Sequence, residues 1–598
     1  MIRLAVILFA VIAFGGISRA ADEVFVEVWY RSASPCAGGV DQYWFDEGEA
    51  ITINANDCVE RINIYTSSAF DIGAVTITGS GPTGTNRLQV LISSGAFTSA
   101  GQQATTACDD FGGLTIVNTT LRSETDFAGH FAGNLTGSIG VGQMYRLDID
   151  GSMNASIISE GAPNGFCRLI VGATSPAGDF QLDANNLILF DCTGNAAGDV
   201  TAKNGHVLEV SVGGSLTGSV CSENGQIQLV EAAIAIGSVS VTPNIHAKGS
   251  IFTVEAPSIK ASISSRAFTG TTGTVFRVAT SSGDFEGSLT TTFLTTDAAV
   301  TGEGVFVAGD LDASITATSD VRVPISVAGN INGNISISGH LWTGNTSDGS
   351  IETTSGGDIN GNISITGNIE GDSSGAAFIK AADDINGAIT ATGDLQSNGT
   401  NHGRIECAGD LDGNITIAGM ADGVIDINGS FTSGTIDLAG DLDGTISIGN
   451  SGAGSITGGT IDIADDINGT ITVADDIQAS GSIVCAGDVN ANITVTDDLA
   501  GLINIGGSLL SAKTIAAQSL SIAYDLGQII INSLNPGTPG TWAGSVVINS
   551  TALSPTPHYS NEDLVGAVGL VPFALHDADC IPENGQANPS DFFVDLSF

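Results

Sequence analysis

Residues 407–419 read CAGDLDGNITIAG. Two aspartates flank a leucine and a Gly-Asn follows, which are the oxygen donors a small metal loop would use. The phrase decides the fold because it recurs. Its relatives are VAGDLDASITATSD (307–320), VAGNINGNISISG (327–339), SGGDINGNISITG (355–367), AADDINGAITATG (381–393), LAGDLDGTISIG (438–449), IADDINGTITVADD (463–476) and CAGDVNANITVTDD (485–498). The hydrophobic letters hold while the polar letters drift, in the frame [G/D]-[D/N]-[I/L/V]-[N/D]-[G/A]-x-I-[S/T].

The second positions of that frame fall at Asp310, Asn330, Asp358, Asp384, Asp410, Asp441, Asp466 and Asp488, at intervals of 20 to 31 and about 25 on average. Such lengths belong to repeats that stack into solenoids. Weaker copies, GNLTGSI (133–139), GSMNASI (151–157), GSLTGSV (214–220) and GDFEGSL (283–289), carry the pattern upstream. The array is therefore expected over 131–510.

Parity supplies the secondary structure. Around the opening phrase Ile405, Cys407, Leu411, Ile415 and Ile417 share one parity, and Glu406, Asp410, Asp412, Asn414 and Thr416 the other. That alternation is β-structure with one face buried, and one strand of such length would be unusual. Glycines 409 and 413 fall on the inward parity, where they let the backbone bend. The expected fold is all-β: an elongated parallel β-solenoid of short strands and glycine corners, with stacked isoleucines inside. At about 4.8 Å per coil, about 15 coils would extend roughly 70 Å.

On these repeats the array resembles right-handed parallel β-helices of the pectin-lyase-like kind found in secreted repeat proteins. More distantly it is similar to bactofilin scaffolds, which use G-D-[IL]-x-G-x-[IV] phrases. The first resemblance implies a secreted right-handed β-helix and raises the question of a polysaccharide-degrading site. β-Helical pectin hydrolases use clustered carboxylates as acid and base. The doublets Asp383-Asp384, Asp465-Asp466, Asp475-Asp476 and Asp497-Asp498 instead recur at turn positions of the repeat. Asn401-His402-Gly403-Arg404-Ile405 faintly echoes G-H-G and R-I-K motifs, but has no Gly before the His and Glu406 in place of Lys. Between 301 and 530 only Arg322, Lys380, Arg404 and Lys513 are basic.

Composition narrows the partners. The chain of 598 residues has 17 Lys+Arg against 64 Asp+Glu, a formal charge of −47. It has no electrostatic footprint for nucleic acid and is repelled by anionic membrane surfaces. The N-terminus, MIRLAVILFAVIAFGGISRA, reads as a signal peptide over 1–20: Arg3, an apolar run from Leu4 to Phe14, and small residues at Ser18 and Ala20. Export is expected, to the cell surface or beyond, with no membrane span. Nine cysteines at wide spacing form neither a zinc motif nor an obvious disulfide framework, though Cys36 and Cys58 suit a staple in an N-terminal cap. Cys407 and Cys485 fall on the buried parity. The seven histidines are dispersed, and no G-x-S-x-G elbow or H-E-x-x-H appears.

Stacked in register, Asp310, Asp358, Asp384, Asp410, Asp441, Asp466 and Asp488, with Asn330, would form one outward column. Asp312, Asn332, Asn360, Asn386, Asp412, Asp443, Asn468 and Asn490 would form a second. Carboxylates about 5 Å apart repel by roughly 0.8 kcal/mol per pair in water. Bound Ca²⁺ would relieve this, while Asp and Asn also favour turns outright. Neither the G-G-x-G-x-D nonapeptide nor a full EF-hand loop is present. After the isoleucines, hydroxyls recur at Thr316/Thr318, Ser336/Ser338, Ser364/Thr366, Thr390/Thr392 and Thr494/Thr496, the beginnings of a glycan- or ice-facing surface.

The ends differ. Residues 21–130 open with Trp29, Tyr30, Tyr43, Trp44 and Phe45, read as the core of an N-terminal β cap before the first coils; residues 511–598 are proline-bearing and read as a C-terminal cap or attachment module. The function expected is that of an exported, non-catalytic structural or adhesive solenoid, partnered by envelope or extracellular polysaccharide. The alternatives are a carbohydrate-active β-helix enzyme with its site in coils 133–300, or a glycan- or ice-binding solenoid.

Overall fold

A computed structural model describes residues 23–78, 89–94, 114–116, 126–520, 528–531, 545–549 and 574–576, less short breaks, the longest at 267–272, 296–301 and 343–348. The expected signal peptide, and most of the expected C-terminal module, lie outside the described residues. Among them every regular element is a strand. The chain divides into two compact units, Met1–Gln226 and Ile227–Phe598.

The first unit starts with antiparallel pairing. Glu23–Tyr30 lies between Gly39–Asp46 and Val59–Thr66, antiparallel to both, and the expected Cys36–Cys58 disulfide ties the segment together. Two of its aromatics depart from the expectation of a cap core. Tyr43 and Trp44 are 45% and 50% exposed, because among the described residues Gly39–Asp46 pairs on one side only and shows nearly all its side chains to solvent. Parallel stacking then begins: Val59–Thr66 pairs with Gln89–Ser94, and Ile51–Asn54 with Val75–Thr78. One long strand, Leu135–Gly161, supplies two walls of a coil without interruption. Its residues 146–153 pair with Phe166–Thr174, and its residues 157–159 pair with Phe180–Leu182.

The second unit shows the repeat in its most regular form. One turn runs from Arg404–Cys407, past a bridging residue Leu411, to Ile415–Ile417, past a second bridging residue Ala421, and on to Val424–Ile427. Each coil is thus two half-turns, each a short wall strand followed by a corner. Arg404–Cys407 pairs in parallel with Phe378–Ala381 below and Val424–Ile427 above; Ile415–Ile417 pairs with Ile389–Ala391 and Thr435–Leu438.

Inside, the first wall stacks nine isoleucines from Ile325 through Ile405 to Ile515. The second wall stacks nine more from Ile315 through Ile415 to Ile503. All are essentially solvent-free. Burying each contributes about 1.5–3 kcal/mol, and β-branched residues suit the stacked pleat. Glycine at 413 answers to crowding: a Cβ there would strike the carbonyl oxygen of Gly387, one coil below, as one at Gly387 would strike Gly361.

Candidate functional site: the acidic corner ladders

The corners hold the acidic residues. Leading into each bridging residue is a polar residue whose side-chain oxygen accepts the backbone N–H of its counterpart one coil up. At the first corner Asp310 N–H donates to Asp284 Oδ1 at 2.8 Å, Asn330 to Asp310 at 2.7 Å and Asp358 to Asn330 at 2.8 Å. The series continues with Asp384 to Asp358 at 3.1 Å, Asp410 to Asp384 at 2.7 Å and Ser430 to Asp410 at 2.7 Å. A corner residue cannot pair its N–H as a wall residue does, so a short side-chain acceptor from the next coil replaces that bond.

The same device works at the second corner. His340 N–H donates to Asp320, Asp394 to Asn368, Asp466 to Asp441 at 3.0 Å, and Asp488 to Asp466 and Ser508 to Asp488 at 2.7 Å each. The single column expected from the sequence is therefore two. Asp310, Asn330, Asp358, Asp384 and Asp410 stand at the first corner, with bridging neighbours Leu311 to Leu411 in one series. Asp441, Asp466 and Asp488 stand at the other, beside Leu442, Ile467 and Val489. The interval of 31 between Asp410 and Asp441 is one and a half coils. Asp284, from the weaker copy GDFEGSL, and Asp320, Asp394, Asp476 and Asp498, which are not second positions of the frame, complete the ladders.

The second expected column divides likewise and is bonded through amides. Nδ2 of Asn332 donates to Asp312 at 2.8 Å, Asn360 to Asn332 at 2.9 Å and Asn386 to Asn360 at 2.8 Å, below Asp412; at the other corner Asn468 donates to Asp443 at 2.9 Å. Glycine precedes most ladder residues because the carboxylate below fills the place of a Cβ. At Gly409 that atom is Asp384 Oδ1, at Gly487 it is Asp466 Oδ1.

The doublets put an aspartate into this glycine slot, and three groups of carboxylates result: Asp358/Asp383/Asp384, Asp441/Asp465/Asp466 and Asp475/Asp476/Asp497, each with ligand atoms within 4.8 Å of one another. Crowded like charge perturbs them. The neighbouring Asp384 charge, with a little burial and the charges of Asp358 and Asp410, pushes the Asp383 carboxyl up; burial first, then Asp475, Asp498 and Asp497, pushes Asp476 up against the pull of the Asp498 N–H. In each group the ladder member has one oxygen engaged by a backbone N–H, which leaves hard outward oxygens of the kind Ca²⁺ takes.

Elsewhere on the second unit, chemistry-bearing side chains lie between Asp320 and Glu406. The Arg322 guanidinium lies 4.3 Å from the Trp342 ring centre and 2.8 Å from Asp320. Trp342 sits in register with Glu370, and Glu370 with Gln396. Arg404 is held by Glu406 on its own strand at 2.6 Å, with Lys380 at 3.9 Å from the same carboxylate. His402 lies in a two-residue antiparallel pairing with Ser397 and Asn398. The hydroxyl column is continuous over Thr316, Ser336, Ser364, Thr390 and Thr416, then gives way to Asp437, Asp462, Val484 and Asn504.

Cys407 and Cys485 are core residues, as their parity required. Burial pushes both thiols up to about 12, against hydrogen bonds that favour the thiolate, so neither is a nucleophile at neutral pH. No protein-family model matches the chain, and neither a curated protein nor a solved structure matches it.

Proposed function

We propose that this chain is an exported structural or adhesive scaffold whose acidic residues are spent on joining coils rather than on catalysis. The observation that carries this reading is the bonding of the carboxylates. The doublets that would tempt an acid–base assignment are ladder members paired with a residue in the glycine slot, repeated at both corners. A catalytic pair is singular and poised by an environment of its own; these recur with the coil.

Within that reading, Ca²⁺ binds at the three carboxylate groups and relieves their repulsion. Three carboxylates supply fewer than the six to eight oxygens Ca²⁺ takes, so water completes the shell and binding falls in the weak range of extracellular modules, about 10⁻⁴–10⁻³ M. Titration calorimetry with CaCl₂ tests it: heat in that range, lost in a D383N/D465N/D475N variant, supports binding, and no heat at 10 mM refutes it. The partner is a surface polysaccharide, and the Arg322–Trp342–Glu370–Gln396 strip offers it a ring and hydrogen-bonding groups together.

Fractionation of the native cells, with external protease on intact cells, tests the whole reading. Retention in the envelope with protease-sensitive epitopes supports a surface scaffold. Recovery in the cytoplasm, untouched by protease, overturns it.

A further inference from the structure

Among the described residues the ladders use oxygen acceptors almost throughout, and two histidines depart from this. At the second corner Asn368 N–H donates to Nδ1 of His340 at 2.9 Å, while the N–H of His340 donates to Asp320 at 3.1 Å. In the first unit Gln226 N–H donates to Nδ1 of His206 at 3.0 Å, and His206 N–H to Asn186 Oδ1 at 3.0 Å. A backbone N–H only donates, so Nδ1 of each ring must carry a bare lone pair and the proton must sit on Nε2. That tautomer is fixed by the backbone.

We propose that His340 is an acid-sensitive latch in the second corner of the solenoid: protonation at Nδ1 turns its acceptor into a donor and releases the Asn368 N–H from the coil below. Asp, Asn and Ser neighbours in the ladder keep an oxygen lone pair in either protonation state. Imidazole alone among the ladder groups loses every acceptor on protonation, and histidine is the side-chain type proteins use as a switch near neutral pH.

Among the described residues, the charged groups around His340 are Asp320 and Arg322 on the coil below and Glu370 on the coil above, across from Trp342. Burial works against ionisation of Asp320, yet the His340 N–H and Arg322 hold its carboxyl below the usual carboxylate range. Asp320 therefore stays charged near neutral pH and attracts an imidazolium above it, while Arg322, bonded to Asp320 at 2.8 Å, opposes that attraction. None of these groups supplies Asn368 with another acceptor. The bond is present with the neutral ring and is lost once Nδ1 is protonated. The latch lies one residue before the short strand Leu341–Trp342, which pairs with Ile369–Glu370 on the coil above. His206 repeats the geometry between neutral partners, Asn186 and Gln226.

Amide hydrogen exchange on the full chain, corrected for intrinsic rates, tests this at pH 7.5 and 5.0. Protection of the Asn368 amide is expected to fall about tenfold at pH 5.0, the loss of one ladder bond. In His340→Asn, whose Oδ1 should accept as Asn330 and Asn368 already do, Asn368 protection is expected to be the same at both pH values. The Asp394 amide, bonded to Asn368 Oδ1 at 2.9 Å, is the control on the same corner. No change at Asn368 in the native chain overturns the proposal. So does an equal loss at Asn368 in His340→Asn, or a parallel loss at Asp394 in both proteins, which would mean that acid loosens the corner as a whole.

Discussion

Replacing Asp384 separates its two properties, a charge and an acceptor. Its Oδ1 takes the Asp410 N–H at 2.7 Å, and its charge faces Asp358 and Asp383, whose oxygens lie within 4.8 Å, and Asp410 on the coil above. At that spacing each pair repels by about 0.9 kcal/mol in water, about 0.5 kcal/mol after screening at 0.15 M salt, and about 1 kcal/mol for Asp358 and Asp383 together. Asp384→Asn keeps the acceptor and removes the charge, so in EDTA it is expected to be neutral or to stabilise by up to about 1 kcal/mol. Asp384→Ala removes both; losing a bond to a charged acceptor costs about 1.5–3 kcal/mol, less the relieved repulsion. Amide exchange at Asp410 is the direct assay. Asp384→Ala should speed it at least tenfold, Asp384→Asn by less than threefold. If Asp384→Asn behaves like Asp384→Ala, the charge and not the corner bond is what the position provides, and the reading of the ladders fails.

Ile405→Ala leaves a hole in the middle of an unbroken isoleucine column and should cost 2–5 kcal/mol in urea unfolding; Glu406→Ala, on the outward parity, should cost less than about 1 kcal/mol. Native Cys407 and Cys485 should resist a thiol reagent at pH 8 and react on unfolding; fast labelling of the native chain would contradict their burial. Asp383 and Asp476 bind protons more readily folded than unfolded. Their repulsion therefore destabilises the chain above their raised range and is relieved as pH falls through it towards 4. In EDTA the stability that Asp383→Asn/Asp476→Asn gains over the native chain at pH 7 should shrink as pH falls towards 4, and a gap that stays constant would contradict the raised carboxyls. With 5 mM Ca²⁺ at pH 7 the melting temperature of the native chain should rise by a few degrees, and an unchanged melt would leave Asp383, Asp465 and Asp475 without a metal.

The wall pattern was open to reading from the residues. Alternation around Ile415 and Ile417 put the isoleucines inside, and Cys407 followed them because a thiol fits a small apolar slot. The half-turn was not. Both corners make the same demand, an inward apolar bridge beside an acceptor for an orphan N–H, so both select the same phrase. The frame around Asp410-Leu411 and that around Asp441-Leu442 are interchangeable as text, and the unequal spacing of the phrases, from 20 to 31 residues, spoils counting by tens. Asp320 and Asp394 went unseen because Val321-Arg322 and Leu395-Gln396 lack the second Asp or Asn that marked the other copies. An acceptor residue before an apolar one every ten or so residues was the available signal. Tyr43 and Trp44 misled for a different reason: aromatics near a terminus suggest a core, and only the pairing of Gly39–Asp46 on one side reveals their exposure.

The central claim is that coils stack in register, so that residues 20 to 31 apart lie one strand spacing apart. Spin labels at Thr316 paired with position 437, 462 or 504 lie five, six and eight coils apart on one wall. Pulsed dipolar spectroscopy should give backbone separations of about 24, 29 and 38 Å, rising by about 4.8 Å per coil. Distances that do not grow with the number of intervening coils would contradict the account.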